Sequence, residues 1–311
     1  MKVLVTGSAG FFGKAISQRL QLAGHDVVCS DFRVKPDSFV EYLDVSSKES
    51  CNSIFLNHKG IEAVVHCAAI VHIKEGVFPG EQYYLTNAKG TKNILDAAVA
   101  NGAKRFVHIS TVSVYGEFDF PSPVKESCPT KPIGYYGTSK KTAEDFCLQR
   151  EKEVCLYILR MTTMYGRKWL FNIRKKITPP LIGRYFYLTF NGKNGRYSLC
   201  SDKNGAEAVL WAIEGKMNAG TYNIADYFDY SLYNILKAVE KYDGKKWHIS
   251  IPKWASVLIL KSLIWLSPTS RLRLKAYSRY WAFFENNLFS VDKLRSAGFN
   301  SPPDLIDMAK G

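Results

Sequence analysis

"KVLVTGSAGFFG", residues Lys2 to Gly13, decides how the rest of the chain is read. Val3, Leu4 and Val5 form an apolar run without polar alternation, the pattern of a strand buried on both faces of a parallel sheet. Gly7, Gly10 and Gly13 follow at once. Glycines between a strand and a helix permit a tight turn and let the backbone approach a pyrophosphate closely. A helix starting there offers N–H groups and the positive end of its dipole to the same anion. The spacing is G-x-x-G-x-x-G rather than the G-x-G-x-x-G of ordinary dehydrogenases, and a plain structural turn is the competing reading.

The pattern continues outward. "KAISQRLQLAG" has helical spacing and closes at Gly24. "DVVCSD", "IEAVVHCAA", "KRFVHIST" and "CLYILRMTTMYG" read as strands, and "TNAKGTKNILDAAVANG" as a helix ending on glycine. Strand and helix alternate from Met1 to Gly166. This predicts an α/β fold, a doubly wound parallel sheet with right-handed crossovers, over residues 1–166. After Gly166 the rhythm breaks into a mixture of prolines, glycines, aromatics and bases. Residues 167–311 read as a smaller mixed substrate-binding domain interleaved with the first, with helices at "GAEAVLWAIEGK" and "SLYNILKAVEKY".

The 311 residues are 46% hydrophobic, enough for a large core. The net charge of +14 suits nucleic acid, anionic lipid or a phosphorylated small molecule. No zinc-finger spacing and no RNA-binding aromatic signature accompanies it, so nucleic acid is not the expected partner. The seven cysteines, Cys29, Cys51, Cys67, Cys128, Cys147, Cys155 and Cys200, are odd in number and free of C-x-x-C, which favours reduced thiols over disulfides or zinc. "MKVLVTG" lacks a signal-peptide layout, and a cytoplasmic location is expected. His66 reads as a strand histidine, and His72 has no partner at metal spacing, so no metal site is expected.

Asp31 ends the second strand. A carboxylate there accepts hydrogen bonds from the adenosine ribose hydroxyls and repels a 2′-phosphate, which favours NAD over NADP. Arg33 and Lys35 stand close by and suit a phosphate instead, and a turn or cap role for Asp31 is the simpler reading.

"YYGTSKKTAEDF" begins at Tyr135. Tyr136 and Lys140 form an i,i+4 pair on one helix face, and Tyr135 is rotated off that face. A free phenol titrates near ~10 and is a poor base at neutral pH. An ammonium about 4 Å away, at an effective dielectric near 20, is worth on the order of 4 kcal/mol before desolvation. The pair is therefore expected to lower the Tyr136 phenol. Upstream, "HISTVSVYG" puts Ser110, Thr111 and Ser113 at the C-terminal end of a strand, where α/β folds keep their sites.

The motifs "TGSAGFFG", "DF" at Asp31, "LDV" at Asp44, "VVHCAA", "NAKGTKN", "STVSVYG" and "YYGTSK" stand in the order of the extended short-chain dehydrogenase/reductases. The chain resembles the NAD-dependent epimerase/dehydratase group, above all its nucleotide-sugar epimerases. The likeness spans nearly the whole chain and is strongest over residues 1–166. It implies a Rossmann-like fold with Phe11 and Phe12 at the pyrophosphate turn, and Asp44 and Val45 at the adenine edge. Cys67, Ala68 and Ala69 would run beside the cofactor, and Asn87 would match the asparagine of the "NAKGTKN" helix. Thr111 takes the place of the catalytic Ser/Thr, and Tyr136 that of the acid/base. Lys140 would lower the phenol and bind the nicotinamide ribose, with Thr162 and Thr163 passing the nicotinamide. A homodimer through the Tyr–Lys helix is implied by the resemblance alone.

Departures narrow the chemistry. Val112 and Ser113 stand where dehydratases of the group carry Asp-Glu, so water elimination lacks its acid and base. "YGRK" places Arg167 where proline is usual, and "CSDKNGAEAV" puts Lys203 and Asn204 in a stretch that is usually more acidic. Arg196 in "NGRYS" is a candidate diphosphate clamp or a surface arginine. The expected activity is NAD-dependent epimerisation of a nucleotide-linked sugar, at C4, through a transient keto-sugar. A 4-keto-sugar reductase using NAD(P)H is the alternative. "PKWASVLILKSLIWLSP" is too short to span a bilayer and is followed by Arg271, Arg273, Lys275 and Arg279. It reads as a packed helix or, more sharply, as one lying on an anionic membrane. The latter suits an epimerase of a polyprenyl-diphosphate-linked sugar.

Overall fold

The computed structural model describes residues 1–34, 39–71, 78–116, 122–166, 170, 173, 186–190, 196–244, 247–266 and 288–305. Its centre is a seven-stranded sheet. Six strands come from the alternating half, five of them long: β1 (Lys2–Thr6), β2 (Asp26–Asp31), β4 (Ala63–His66), β5 (Arg105–Thr111) and β6 (Cys155–Met161). The short β3 (Glu41–Tyr42) closes one edge. All pairings in the sheet are parallel, and β1 lies between β2 and β4. The chain therefore leaves β1 toward one edge and returns to fill the other, which creates a crevice at the strand ends between β1 and β4. The doubly wound fold expected from the alternation is the fold observed.

Both faces are covered, which is why the strands read as continuous apolar runs. On one face α1 (Phe11–Leu22) places Ile16 and Leu20 with Val3, Val5, Val107 and Leu159. On the other, α2 (Lys48–Asn57) and α4 (Gly90–Ala100) bring Ile54, Phe55, Ile94 and Ala98 onto Leu4, Val64 and Phe106. Each such fully buried aliphatic side chain stabilises by roughly 1.5–3 kcal/mol. Ahead of α4 runs a short α3 (Gly80–Tyr83) and a π-helical turn, Tyr84–Lys89. Helix α5 (Gly134–Leu148) carries the Tyr–Lys motif and packs on β5 and on the π-turn.

"CLYILRMTTMYG" is not one strand. The backbone N–H and the hydroxyl of Thr162 both donate to the Ile224 carbonyl, each at 3.1 Å, and the chain turns out of the sheet there. The next strand, β7 (Thr163–Tyr165), joins a three-stranded sheet with β9 (Arg196–Ser201) and β11 (Asp229–Ser231). A further pair is made by β8 (Phe186–Phe190) and β12 (Trp247–Ile251).

Residues beyond Gly166 also complete the central unit. The strand β10 (Gly220–Ile224) lies beside β6 as the seventh strand. Helix α6 (Asp202–Glu214), capped by the Ser201 side chain, lays Ala206, Val209 and Ile213 into the same core as α1. The chain ends its described course with α7 (Leu232–Asp243), which starts at a Ser231–Asn234 capping box, α8 (Lys253–Leu266) and a short α9 (Asp292–Ser296).

Candidate active site

Because β1, β2, β4, β5 and β6 run parallel, Thr6, Asp31, His66, Thr111 and Met161 all end at one edge of the sheet. The expected site residues follow these ends. At the first, Gly7 adopts φ +71°, and a Cβ there would sit 2.7 Å from the Ala68 backbone. A Cβ on Gly13 would collide with the Gly7 carbonyl. The glycines thus fold the loop onto itself and against the end of β4. The N-cap of α1 is Gly10, which gives the helix no side-chain cap. A helix start of this kind keeps room for an anion. Phe12 is buried against Gly205 and Met161, so what it has to offer a ligand is backbone; Phe11 packs partly against the same core.

Asp31 is buried and holds the loop from below. Its carboxylate accepts from Ala9 N–H at 3.2 Å and from Arg33 N–H at 2.9 Å, with the Arg33 guanidinium 3.8 Å away. Asp44 accepts from the N–H and hydroxyl of Ser46, at 2.9 and 2.7 Å, which shapes the turn that presents Val45. Sequence reasoning passed over the two residues that brace this turn. Asn93 donates to the Val45 and Ser46 carbonyls at 3.0 and 3.1 Å. A Cβ on Gly90 would stand 2.8 Å from Val45 Cγ2, so only glycine lets α4 come this close. Both were visible in "NAKGTKN", Gly90 as its central letter and Asn93 as its last.

Asn87 is fully buried on the π-turn. Its amide exchanges two hydrogen bonds with the Ile70 backbone, at 2.7 and 2.9 Å, and donates to Ser139 Oγ at 3.0 Å. Ser139 in turn donates to the Tyr136 carbonyl at 2.9 Å. One asparagine therefore ties the segment after Cys67, Ala68 and Ala69 to the Tyr–Lys helix.

Thr111 starts a single 3-10 turn, Val112–Val114, by accepting from Ser113 N–H at 3.2 Å. Its side chain also lies close enough to the Tyr136 phenol to favour the ionised form. Gly137 makes this approach feasible, since a Cβ there would lie 2.9 Å from the Ser113 carbonyl. Tyr135 points elsewhere: its ring lies over Gly80 and stacks near Tyr83 at 6.3 Å between centroids. The structure thus brings Thr111 and Tyr136 together, with Lys140 one turn further along α5 and fully buried.

The electrostatics differ from the expectation in one respect. Burial pushes the Tyr136 phenol up to about 12, the nearby Thr111 hydroxyl opposes this, and Cys67 adds to it. Burial also brings the Lys140 ammonium down to about 8. In the protein alone, desolvation of the half-buried phenol outweighs the help Thr111 gives it, and Lys140 is not among the groups that shift it. The Lys140 charge also acts on the two histidines beneath it. His66 bridges Thr6 Oγ1 and Thr91 Oγ1 at 2.8 and 3.0 Å, and burial followed by Lys140 holds it at about 3. His108, stacked on it at 5.7 Å, is shifted down for the same reasons. His66 is accordingly a neutral brace between β1 and α4.

The remaining candidates lie apart from this cluster or are committed elsewhere. Thr162 spends its hydroxyl on Ile224, and Thr163 pairs with Leu199 in the second sheet. Arg196 is exposed opposite Ser231 at the start of β9, and β9 meets β7 only from Leu199 onward. Lys203 pairs with Asp304 at 3.1 Å, and Asn204 is buried on Asp226 at 2.7 Å. His72, Lys35, Arg167 and the Arg271–Arg279 cluster lie outside the described residues. Among the described residues no group of three metal-capable side chains converges.

A family model described as the NAD dependent epimerase/dehydratase family matches residues 3–225. The chain belongs to this family. It is an enzyme, and its cofactor is NAD. The chain is 34% identical over 146 residues to UDP-glucose 4-epimerase of Streptomyces lividans, a match covering 45% of this chain and 44% of that protein. The chain thus spans less than half the length of that relative. UDP-glucose 4-epimerase of Vibrio cholerae is 28% identical over 269 residues, 83% of this chain and 81% of that one. A short-chain dehydrogenase/reductase superfamily protein from Agrobacterium tumefaciens, solved with bound NAD, superposes with a TM-score of 0.75 at 19% identity, over 100% of this chain and 95% of that one. The fold is the family's fold. The residues present fit the dinucleotide: a glycine cradle closed to any Cβ, an uncapped helix start and a buried carboxylate at the end of β2.

Proposed function

We propose that this family member is an NAD-dependent epimerase that inverts C4 of a nucleotide-linked sugar through a transient keto-sugar. The observation that carries the reading is the nearness of the Thr111 hydroxyl at the end of β5 to the Tyr136 phenol, whose ionisation it favours, with Lys140 buried one turn along the same helix. Relatives named UDP-glucose 4-epimerase support a sugar nucleotide as substrate. Bound NAD supplies a hydride acceptor that gives the hydride back within one turnover.

In this reading the Gly7, Gly10 and Gly13 turn and the backbone of Phe11 and Phe12 hold the pyrophosphate. Asp31 takes the adenosine ribose hydroxyls, and Asp44 and Val45 border the adenine. Cys67, Ala68, Ala69, Asn87 and Thr162 line the way to the nicotinamide. Residues 167–311 supply the substrate side, with Arg196 as the diphosphate clamp. Burial raises the Tyr136 phenol to about 12, yet only as the phenolate would it take the sugar hydroxyl's proton, to be returned when the keto-sugar is reduced. Its anion must then be stabilised in the act, and the Lys140 ammonium and the Thr111 hydroxyl are the groups placed to do so. A polyprenyl-diphosphate-linked sugar is the second reading, favoured by the exposed apolar side of α8.

The test is twofold. Denaturing the purified protein should release NAD, and Tyr136→Phe should keep that NAD while losing about 10²–10⁴-fold in epimerisation of a UDP-sugar. Normal turnover by Tyr136→Phe ends the proposal. Consumption of NAD(P)H with a 4-keto-sugar, and no epimer formed, replaces it with a reductase.

A further inference from the structure

Helix α8 turns apolar side chains to water. Trp254 is 69% and Trp265 81% exposed, and Leu258 and Leu266 are exposed with them. Positions 254, 258, 261 and 265 fall on one helical stripe, and the residue at 261 is an exposed lysine. The strand leading into this helix, β12, exposes Trp247 (77%) and, on the same strand face, Ile249. Three of the six tryptophans of the chain are therefore in contact with solvent within one short span. Exposed apolar surface on this scale marks an interaction site.

Charge says what the partner is. Between Asp243 and Glu285 the sequence has no acidic residue, and it carries Lys245, Lys246, Lys253, Lys261, Arg271, Arg273, Lys275 and Arg279. An exposed apolar, tryptophan-bearing face with Lys261 on it, set in a stretch of sequence whose only charges are cationic, complements an anionic lipid headgroup layer, where indole rings settle at the boundary between headgroups and acyl chains. The 14 residues of α8 are too few to cross a bilayer, and no described helix is long and apolar enough to do so. The helix can only lie in the plane of the interface.

We propose that the α8 face formed by Trp254, Leu258, Lys261 and Trp265, continued by Trp247 on β12, docks this enzyme on an anionic membrane surface. The contact is independent of the reaction, so it stands or falls apart from the epimerase reading.

The experiment is co-sedimentation of the full chain with vesicles of phosphatidylcholine alone and of phosphatidylcholine mixed with phosphatidylglycerol. Binding is expected only to the mixed vesicles and is expected to weaken with added salt. W254S/W265S should lower the partition coefficient by about tenfold or more, and K261E by several-fold. Since these side chains are exposed, the circular dichroism melt should not change; L258Q is the substitute variant if it does. No binding to the mixed vesicles, equal binding to both kinds, or undiminished binding by the variants would each overturn the proposal. So would a dimer that W254S/W265S converts to monomer while vesicle binding stays the same, which assigns the stripe to a second copy of the chain.

Discussion

Glu144, one turn beyond Lys140 on α5, holds Arg160 of β6 through both carboxylate oxygens, at 3.0 and 2.8 Å. Ser110 donates to the same carboxylate at 2.5 Å, and Arg160 donates to the Tyr115 hydroxyl at 2.9 Å. Both members of the pair are buried. The pair pins the Tyr–Lys helix to the ends of β5 and β6. Removing one member strands a charge, so Glu144→Ala should cost about 3–5 kcal/mol in urea unfolding. The double variant E144M/R160M should cost clearly less. Equal costs for single and double variants would mean that the pair does not act as a unit.

Gly137 lets α5 approach the turn that carries Thr111. Gly137→Ala should push these elements apart by a few tenths of an ångström or more and draw Tyr136 away from Thr111. A loss of about 10²-fold in kcat is expected, with KM nearly constant and a stability cost of about 1–3 kcal/mol. A rise in KM alone would argue that this contact serves binding rather than chemistry.

Gly90 does the same for the adenine-side turn. Gly90→Ala places a methyl group 2.8 Å from Val45 Cγ2, and should cost about 1–3 kcal/mol and weaken NAD retention. Val45→Ala removes the obstructing methyl and should restore much of the loss in the G90A background. Failure of that rescue would locate the damage elsewhere on α4.

The buried lysine and phenol impose opposite slopes on alkaline stability. Lys140 has its ammonium lowered to about 8 in the fold against 10.5 unfolded, so its burial penalty is full below pH 8 and is relieved as pH rises toward 10.5. Tyr136 is raised to about 12 against 10, so its contribution is full below pH 10 and is lost as pH climbs through 12. Lys140 should therefore add a rising slope to stability from pH 8, visible in denaturant titration below about pH 9; above that the thiols of Cys51, Cys67, Cys147 and Cys200, all raised by burial, oppose it, and Tyr136 joins them above pH 10. Lys140→Met should abolish the rise and stabilise the protein at pH 7 by about 3 kcal/mol, since each pKa unit is worth 1.36 kcal/mol. A variant as steep as the parent between pH 8 and about 9 would show that another group titrates there.

The central sheet was legible because its order follows from rules the sequence displays: unbroken apolar runs, a glycine turn after the first and helices long enough to cross over. The pairing of Tyr136 rather than Tyr135 with the site was likewise a matter of helical phase, and Gly80 confirms it by taking the Tyr135 ring. Other features left no periodic trace. The break at Thr162 depends on the Ile224 carbonyl, a partner 62 positions away. The π-turn around Asn87 looks in sequence like any helix, yet it places the amide where it reaches both Ile70 and Ser139. The sign of the phenol shift was missed because an i,i+4 lysine is visible in the letters and the dryness of its surroundings is not.

The seventh strand has a consequence for how the polypeptide can be cut. Residues Gly220–Ile224 cover the flank of β6, and Val209 and Ile213 roof the same layer, although both lie beyond Gly166. A fragment stopped at 166 would leave a naked row of amide groups along Leu156–Met161 and an uncovered apolar floor beneath it. During synthesis that flank stays open until the later segment emerges. The nucleotide half is thus not autonomous: it becomes a finished body only once the other half has been made.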